Sequence, residues 1–176
     1  MCYTNDNIIS YSLLGLKMTN KTCCFTGHRD LPTDQIEQIT EQLDHELIRL
    51  IEQGYCTFGA GGALGFDTIA AQRVLRLRER YSYIKLILVL PCLTQSKKWC
   101  PQDHLIYEEI KRKADQVVFI SQDYVRGCMH KRNRYLVEHS SVCICYLDKS
   151  VGGTAYTVDY ARKNGKTIIN IADLIE

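Results

Sequence analysis

Phosphate chemistry is the use that best fits the residue types and spacing found in three short stretches of this chain. The first is Phe58-Gly59-Ala60-Gly61-Gly62-Ala63-Leu64-Gly65-Phe66-Asp67, which follows an apolar run and precedes a helical pattern. Glycines here let the backbone take positive φ and approach a ligand closely, and the N–H groups and dipole of the following helix favour an anion. The spacing matches neither G-x-G-x-x-G nor the P-loop, because no Lys-Ser/Thr follows. The second stretch, Gly152-Gly153-Thr154-Ala155-Tyr156-Thr157, also opens a helix, with Thr154 and Thr157 offering hydroxyls to a phosphate or to the helix end. The third, Gly27-His28-Arg29, follows a strand and adds a titratable imidazole and a guanidinium able to grip phosphate with two N–H groups.

Other candidates surround these turns. Met129-His130-Lys131-Arg132-Asn133-Arg134 is a basic helical stretch with Arg126 upstream, and Leu136 and Val137 supply its buried side. Arg132 and Asn133 are the expected phosphate contacts. Asp67 ends the first turn, where a carboxylate can serve the helix start, accept from a ribose hydroxyl or steer water. Asp159 lies on the helix after the second turn. Trp99 and Tyr107, near the third strand's loop, could stack on a base, although core packing is the stronger reading for each taken singly.

The elements that must position these residues alternate strictly. Strands are predicted over Lys21–Thr26, Tyr55–Phe58, Ile84–Leu90, Gln116–Ile120, Val142–Leu147 and Thr167–Ile171. The first helix follows Pro32, with Asp34 and Glu37 at capping-box spacing. Its stripe of Ile36, Ile39, Leu43, Leu47 and Leu50 marks one helical face, and Gly54 ends it. Further helices are predicted over Thr68–Arg80, Asp103–Ala114, Cys128–His139 and Gly153–Lys163. Near-continuous apolar strands alternating with helices imply an α/β, Rossmann-like three-layer sandwich, a mostly parallel sheet of about six strands flanked by helices. The glycine turns then gather at the C-terminal edge of the sheet, where such folds bind ligands.

Composition bounds the remaining choices. The 176 residues suit one domain, residues 21–176, preceded by an extension over residues 1–20 that is expected to be loosely packed. That extension lacks a basic n-region and a cleavage site, and its apolar runs are too short to span a bilayer, so no membrane partner is expected. A net charge of +2 is too small to argue for a general nucleic-acid or membrane partner, so any electrostatic case rests on local clusters. Nine cysteines, an odd number with no C-x-x-C pair and five in strand-like runs, read as buried thiols in a reducing cytoplasm. Neither a disulfide framework nor a metal site is indicated.

Taken together, Thr26-Gly27-His28-Arg29, the run from Gly59 to Asp67, Pro91 with Gln95 and Trp99, Arg132-Asn133, and Gly152-Gly153-Thr154 resemble the YpsA-like proteins. These are bacterial members of the SLOG superfamily, named for the DNA-processing Smf/DprA proteins and the Lonely Guy enzymes. The resemblance covers residues 21–176 and implies a nucleotide or nucleotide-derived ligand held by the glycine turns. It also invites comparison with the Lonely Guy phosphoribohydrolases, whose signatures are Met-His-x-Arg-Lys and Pro-Gly-Gly-x-Gly-Thr-x-x-Glu. This chain keeps Met129, His130 and Arg132 but has Asn133 for the lysine. It keeps Gly152 and Gly153, with Val151 for the proline, Ala155 and Tyr156 for Gly-Thr, and Asp159 for the glutamate.

Three functions follow, in order of expectation. The first is a sensor-like domain binding a nucleoside monophosphate, NAD or ADP-ribose through Gly27, His28, Arg29, Gly59, Gly61, Gly62, Gly65, Asp67, Arg132, Asn133, Gly152, Gly153, Thr154 and Thr157, with no cofactor required. The second is a phosphoribohydrolase-like enzyme, in which Arg132 holds phosphate and Asp159 or Asp67 supplies the carboxylate for an oxocarbenium-like transition state. The third is single-stranded DNA binding through Arg126 to Arg134. A homodimer is compatible with each.

Overall fold

The computed structural model describes residues 21–175. The expected extension over residues 1–20 lies outside the described residues. Strand β1 (Thr22–Gly27) is followed by a 3-10 turn (Thr33–Gln35) and helix α1 (Ile36–Glu52). Next come β2 (Thr57–Ala60), α2 (Phe66–Leu77), β3 (Lys85–Leu90) and α3 (Pro101–Lys113). The chain ends in β4 (Gln116–Phe119), α4 (Cys128–Glu138), β5 (Val142–Tyr146), α5 (Gly153–Lys163), β6 (Thr167–Asn170) and a second 3-10 turn (Ile171–Asp173).

All six strands are parallel, in the order β4-β3-β2-β1-β5-β6. This confirms the α/β Rossmann-like sandwich. The chain steps outward from β1 to β4, then returns to place β5 beside β1. The order reverses there, and the C-terminal ends of β1 and β5 diverge around a crevice.

Strand alternation sorts the core into two layers. On one face Cys23, Phe25, Phe58, Leu86, Leu88, Leu90 and Ile144 meet the α1 stripe of Ile39, Leu43, Leu47 and Leu50 and the α2 residues Phe66, Ala70 and Val74. On the other, Cys24, Ile87, Val89 and Cys143 meet Leu136 and Val137 of α4 and Ala161 of α5. Gly54, at φ +88°, ends α1 as expected. The capping box at Asp34 and Glu37 does not form. Asp34 falls in the preceding 3-10 turn, and neither that turn nor α1 has a side-chain cap. The α3 start lies two residues earlier than expected because Pro101 takes the first helical position and Cys100 Sγ accepts from the Asp103 N–H at 3.4 Å. No described helix is long and apolar enough to cross a membrane.

Candidate functional site

A cleft of ≈ 330 Å³ opens at the β1–β5 reversal. Its walls include Gly27, His28 and Arg29 from the end of β1, Asp67 from α2, Met129, Arg132 and Asn133 from α4, and Gly153 and Thr154 from α5. Phe25, Thr26 and Ala63 complete the lining. Four elements distant in sequence thus deliver most of the expected site to one place.

The two glycine turns do different jobs. In the first, the space beside the glycines is filled by the protein itself. A Cβ on Gly61 would overlap the Arg132 guanidinium and lie 2.8 Å from Asp67 Oδ2. On Gly62 it would meet Leu90 Cδ2 at 2.6 Å, on Gly59 Leu136 Cδ2 at 2.9 Å, and on Gly65 the His28 carbonyl oxygen at 2.5 Å. A Cβ on Gly27 would overlap the Phe66 side chain. The α2 N-terminus is also engaged, since the Phe66 N–H donates to His28 O at 3.1 Å. This turn is a seat for the protein's own side chains.

The second turn is open. Nothing lies within 4 Å of a Cβ built on Gly152 or Gly153. Gly152 has φ +106°, a conformation that favours glycine, and no side chain caps α5. Gly153 and Thr154 bring the first turn of α5 to the cleft wall, and its N–H groups have no side-chain cap at the positive end of the helix dipole.

Between the two turns lies a buried polar chain. Arg132, 5% exposed, donates from Nη1 to the Gly61 carbonyl and from Nε to Asn133 Oδ1 at 2.6 Å. Asn133 donates in turn from Nδ2 to Thr157 Oγ1 at 2.8 Å, and the Thr157 hydroxyl donates to Gly153 O at 2.7 Å. This chain fixes the open α5 turn relative to the guanidinium. Arg132 Nη2 makes no hydrogen bond among the described residues, although Arg132 lines the cleft. Asp67 Oδ2 accepts from the Gly61 and Ala63 N–H groups at 3.1 and 3.4 Å and lies 3.9 Å from Arg132 Nη1. Burial raises the Asp67 carboxyl above its ordinary range against the pull of Arg132 and these N–H groups. Burial likewise lowers the Arg132 guanidinium, opposed by Asp67. Arginine nevertheless stays charged in proteins.

Several expected residues lie elsewhere. Asp159 sits on the solvent face of α5, opposite the buried Thr154, Thr157 and Val158, and pairs with Lys163 at 2.7 Å. Its carboxylate does not line the cleft. Trp99 and Tyr107 pack edge to face against each other at 5.2 Å, with Tyr107 buried. Gly62 lies beside Tyr107, so this pair belongs to the α3 packing layer. Gln95 clasps the first turn from the β3–α3 loop, its Nε2 donating to Gly62 O at 2.7 Å.

One residue that sequence reasoning passed over is Asp148, whose Oδ1 lies 2.9 Å from His28 Nε2. The signal available was a carboxylate placed just after a strand and just before a glycine turn. Arg29, which lines the cleft, is exposed and without an ion pair among the described residues, and the exposed His130 meets the Tyr156 ring edge-on at 4.6 Å.

Residues 23–174 match the profile of the YspA SLOG family. The SPbeta prophage-derived protein YoqJ of Bacillus subtilis is 29% identical over 118 residues, 60% of this chain and 69% of its own. A UPF0398 protein of Halalkalibacterium halodurans is 29% identical over 131 residues, 73% of this chain and 69% of its own. Among solved structures, DNA processing protein A from Helicobacter pylori, studied for its single-stranded DNA binding mode, superposes with a TM-score of 0.61 at 19% identity. That match covers 85% of this chain and 64% of the Helicobacter chain, and establishes the shared fold.

Proposed function

The chain belongs to the YspA SLOG family, and from that premise we propose that it binds a nucleotide or nucleotide derivative, with a phosphate at the α5 N-terminus. The observation that carries this reading is the open Gly152-Gly153 turn, whose Gly153 lines the same cleft as Arg132 and Arg29. The first-turn N–H groups of α5 supply donors and dipole, Arg132 a fixed charge from below, and Arg29 a mobile charge from the rim. Thr154, buried at the cleft wall, adds a hydroxyl. A cleft of ≈ 330 Å³ is at the small end of ligand sites, which run from about 300 to 1,000 Å³. It suits a nucleoside monophosphate, or the phosphate end of NAD or ADP-ribose with the remainder outside.

The test is thermal denaturation with a panel of nucleoside monophosphates, NAD and ADP-ribose. A ligand at about a hundredfold its Kd adds roughly 2.7 kcal/mol and raises Tm visibly. Arg29→Ala should weaken that response. A panel without any shift at millimolar concentration removes the reading.

N-glycosidic hydrolysis has less support. Asp159 is outside the cleft, and Asp67 is engaged by two N–H groups and a guanidinium. A second binding reading, single-stranded DNA, is favoured by the exposed Arg126, His130 and Lys131 around the α4 N-terminus beside the cleft. DNA processing protein A, which has the same fold, was studied for that activity.

A further inference from the structure

His28 is held in a way that a structural histidine at a strand end does not require. Its Nε2 lies 2.9 Å from Asp148 Oδ1, and its side chain is 13% exposed and lines the cleft. The Asp148 backbone N–H approaches the same nitrogen at the longer distance of 3.4 Å. The shorter contact assigns the Nε2 proton to a bond with the carboxylate. Nδ1, which makes no hydrogen bond among the described residues, is left as the nitrogen able to take up a proton. The Tyr146 ring lies edge-on to the imidazole, with the ring centroids 6.4 Å apart. A carboxylate bound to one imidazole nitrogen, on a histidine that lines a ligand cleft and whose other nitrogen has no partner among the described residues, is the arrangement of a general acid–base group.

The charges around it select the reaction. Cleavage of an N-glycosidic bond develops positive charge at the sugar and calls for a carboxylate. Phosphoryl transfer spreads negative charge over the phosphoryl oxygens and calls for cations and N–H donors. The cleft offers Arg29, Arg132 and the first turn of α5, whereas the nearby carboxylates are engaged, Asp67 by the Gly61 and Ala63 N–H groups and Asp148 by His28.

Building on the nucleotide-binding reading above, we propose that this cleft hydrolyses the phosphoester of a bound nucleoside monophosphate, with His28 as proton carrier and Asp148 as its positioning residue. A water oxygen forms the new bond to phosphorus as the bond from phosphorus to the ester oxygen breaks. His28 Nδ1 takes a proton from the water and passes it on to solvent, while the departing oxygen, on the opposite side of phosphorus, takes its proton from solvent. Nucleoside and inorganic phosphate are the products, and no electrons are transferred.

The experiment incubates the full chain with nucleoside 5′-monophosphates. It measures inorganic phosphate, chromatographs the nucleoside products and records Tm shifts on the same samples. Phosphate and intact nucleoside are expected. His28→Gln should lower kcat about a hundredfold or more while KM stays within about threefold. Added imidazole should restore part of the rate in His28→Ala. Asp148→Asn should lower kcat about tenfold or more with the Tm shift retained. A Tm shift without phosphate release overturns the hydrolysis and leaves the binding reading standing. Absence of both overturns the two together. Phosphate release undiminished in His28→Gln, or free base in place of nucleoside, would assign the chemistry to other groups.

Discussion

At the residue scale, the two glycine turns look alike in sequence and differ in what fills the space beside them. Gly61 leaves room for Arg132, 71 positions away, and Gly153 leaves room for solvent. Their alanine variants should therefore separate stability from binding. Gly61→Ala drives a Cβ into a buried guanidinium and should lower stability by about 2 kcal/mol or more, read as a fall in Tm. Gly153→Ala meets nothing in the protein and should change stability by no more than about 0.5 kcal/mol. It should still weaken nucleotide binding about tenfold, measured by titration calorimetry, because the methyl group narrows the approach to the α5 N–H groups. Unchanged affinity in Gly153→Ala would detach the phosphate from this turn. The sequence marks both turns by composition, but which is filled depends on contacts between α4 and the β2–α2 connection. Local spacing does not encode such contacts. For the same reason Asp159, at the right distance from a glycine turn along the chain, proved to be on the far side of its helix.

At the element scale, legibility followed burial. Five strands and α5 lie within a residue of where apolar runs and the Gly-Gly opening predict them, because a buried parallel strand must be apolar along its length. Strand β2, expected over Tyr55–Phe58, runs two residues later and takes Gly59 and Ala60 out of the expected turn. Helix starts were harder. The start of α2 was expected at Thr68 but lies at Phe66, since the ring of Phe66 packs against Gly27, a contact visible only in three dimensions. The coupling of α4 to α5 through Asn133 and Thr157 was equally hidden, although both residues stood out singly. Asn133→Ala removes the acceptor for Arg132 Nε and the donor to Thr157, leaving a buried charged donor unsatisfied. It should cost about 1–3 kcal/mol in denaturant unfolding and loosen the phosphate turn as well. The strand thiols give a second check on the layers. Burial pushes the Cys145 thiol up to about 12, so at pH 8 only about one in ten thousand is thiolate. Cys100 is exposed. Alkylation of the native protein followed by peptide mapping should modify Cys100 readily and spare Cys145, Cys143 and Cys24 until denaturant is added. Early modification of Cys145 would mean that β5 opens without global unfolding.

At the scale of the whole molecule, alternation of strand and helix implied the parallel sheet but not where the chain turns back. The reversal depends on α4 covering the face opposite α1, α2 and α3, which leaves β5 to pair with β1. It places His28, Arg29, Arg132 and the α5 turn around one crevice, and so concentrates positive charge locally in a chain whose net charge is only +2. That contrast predicts how any single-stranded DNA binding should respond to salt. Single strands lose affinity with a log–log slope of about −0.7 per neutralised phosphate. If Arg29 and Arg132 of the cleft act with the exposed Arg126 and Lys131 at the start of α4, about four phosphates are engaged and the slope is about −3. Affinity should then fall about fiftyfold between 50 and 200 mM salt, measured by fluorescence anisotropy of a labelled oligonucleotide. The same titration after addition of a nucleoside monophosphate decides whether both ligands use one place. Competition together with a slope near −3 would put the DNA backbone across the α5 turn. A slope twice as steep, without competition, would require a separate basic path along the molecule. An oligonucleotide that fails to bind even at 50 mM salt would restrict the cleft to small nucleotides.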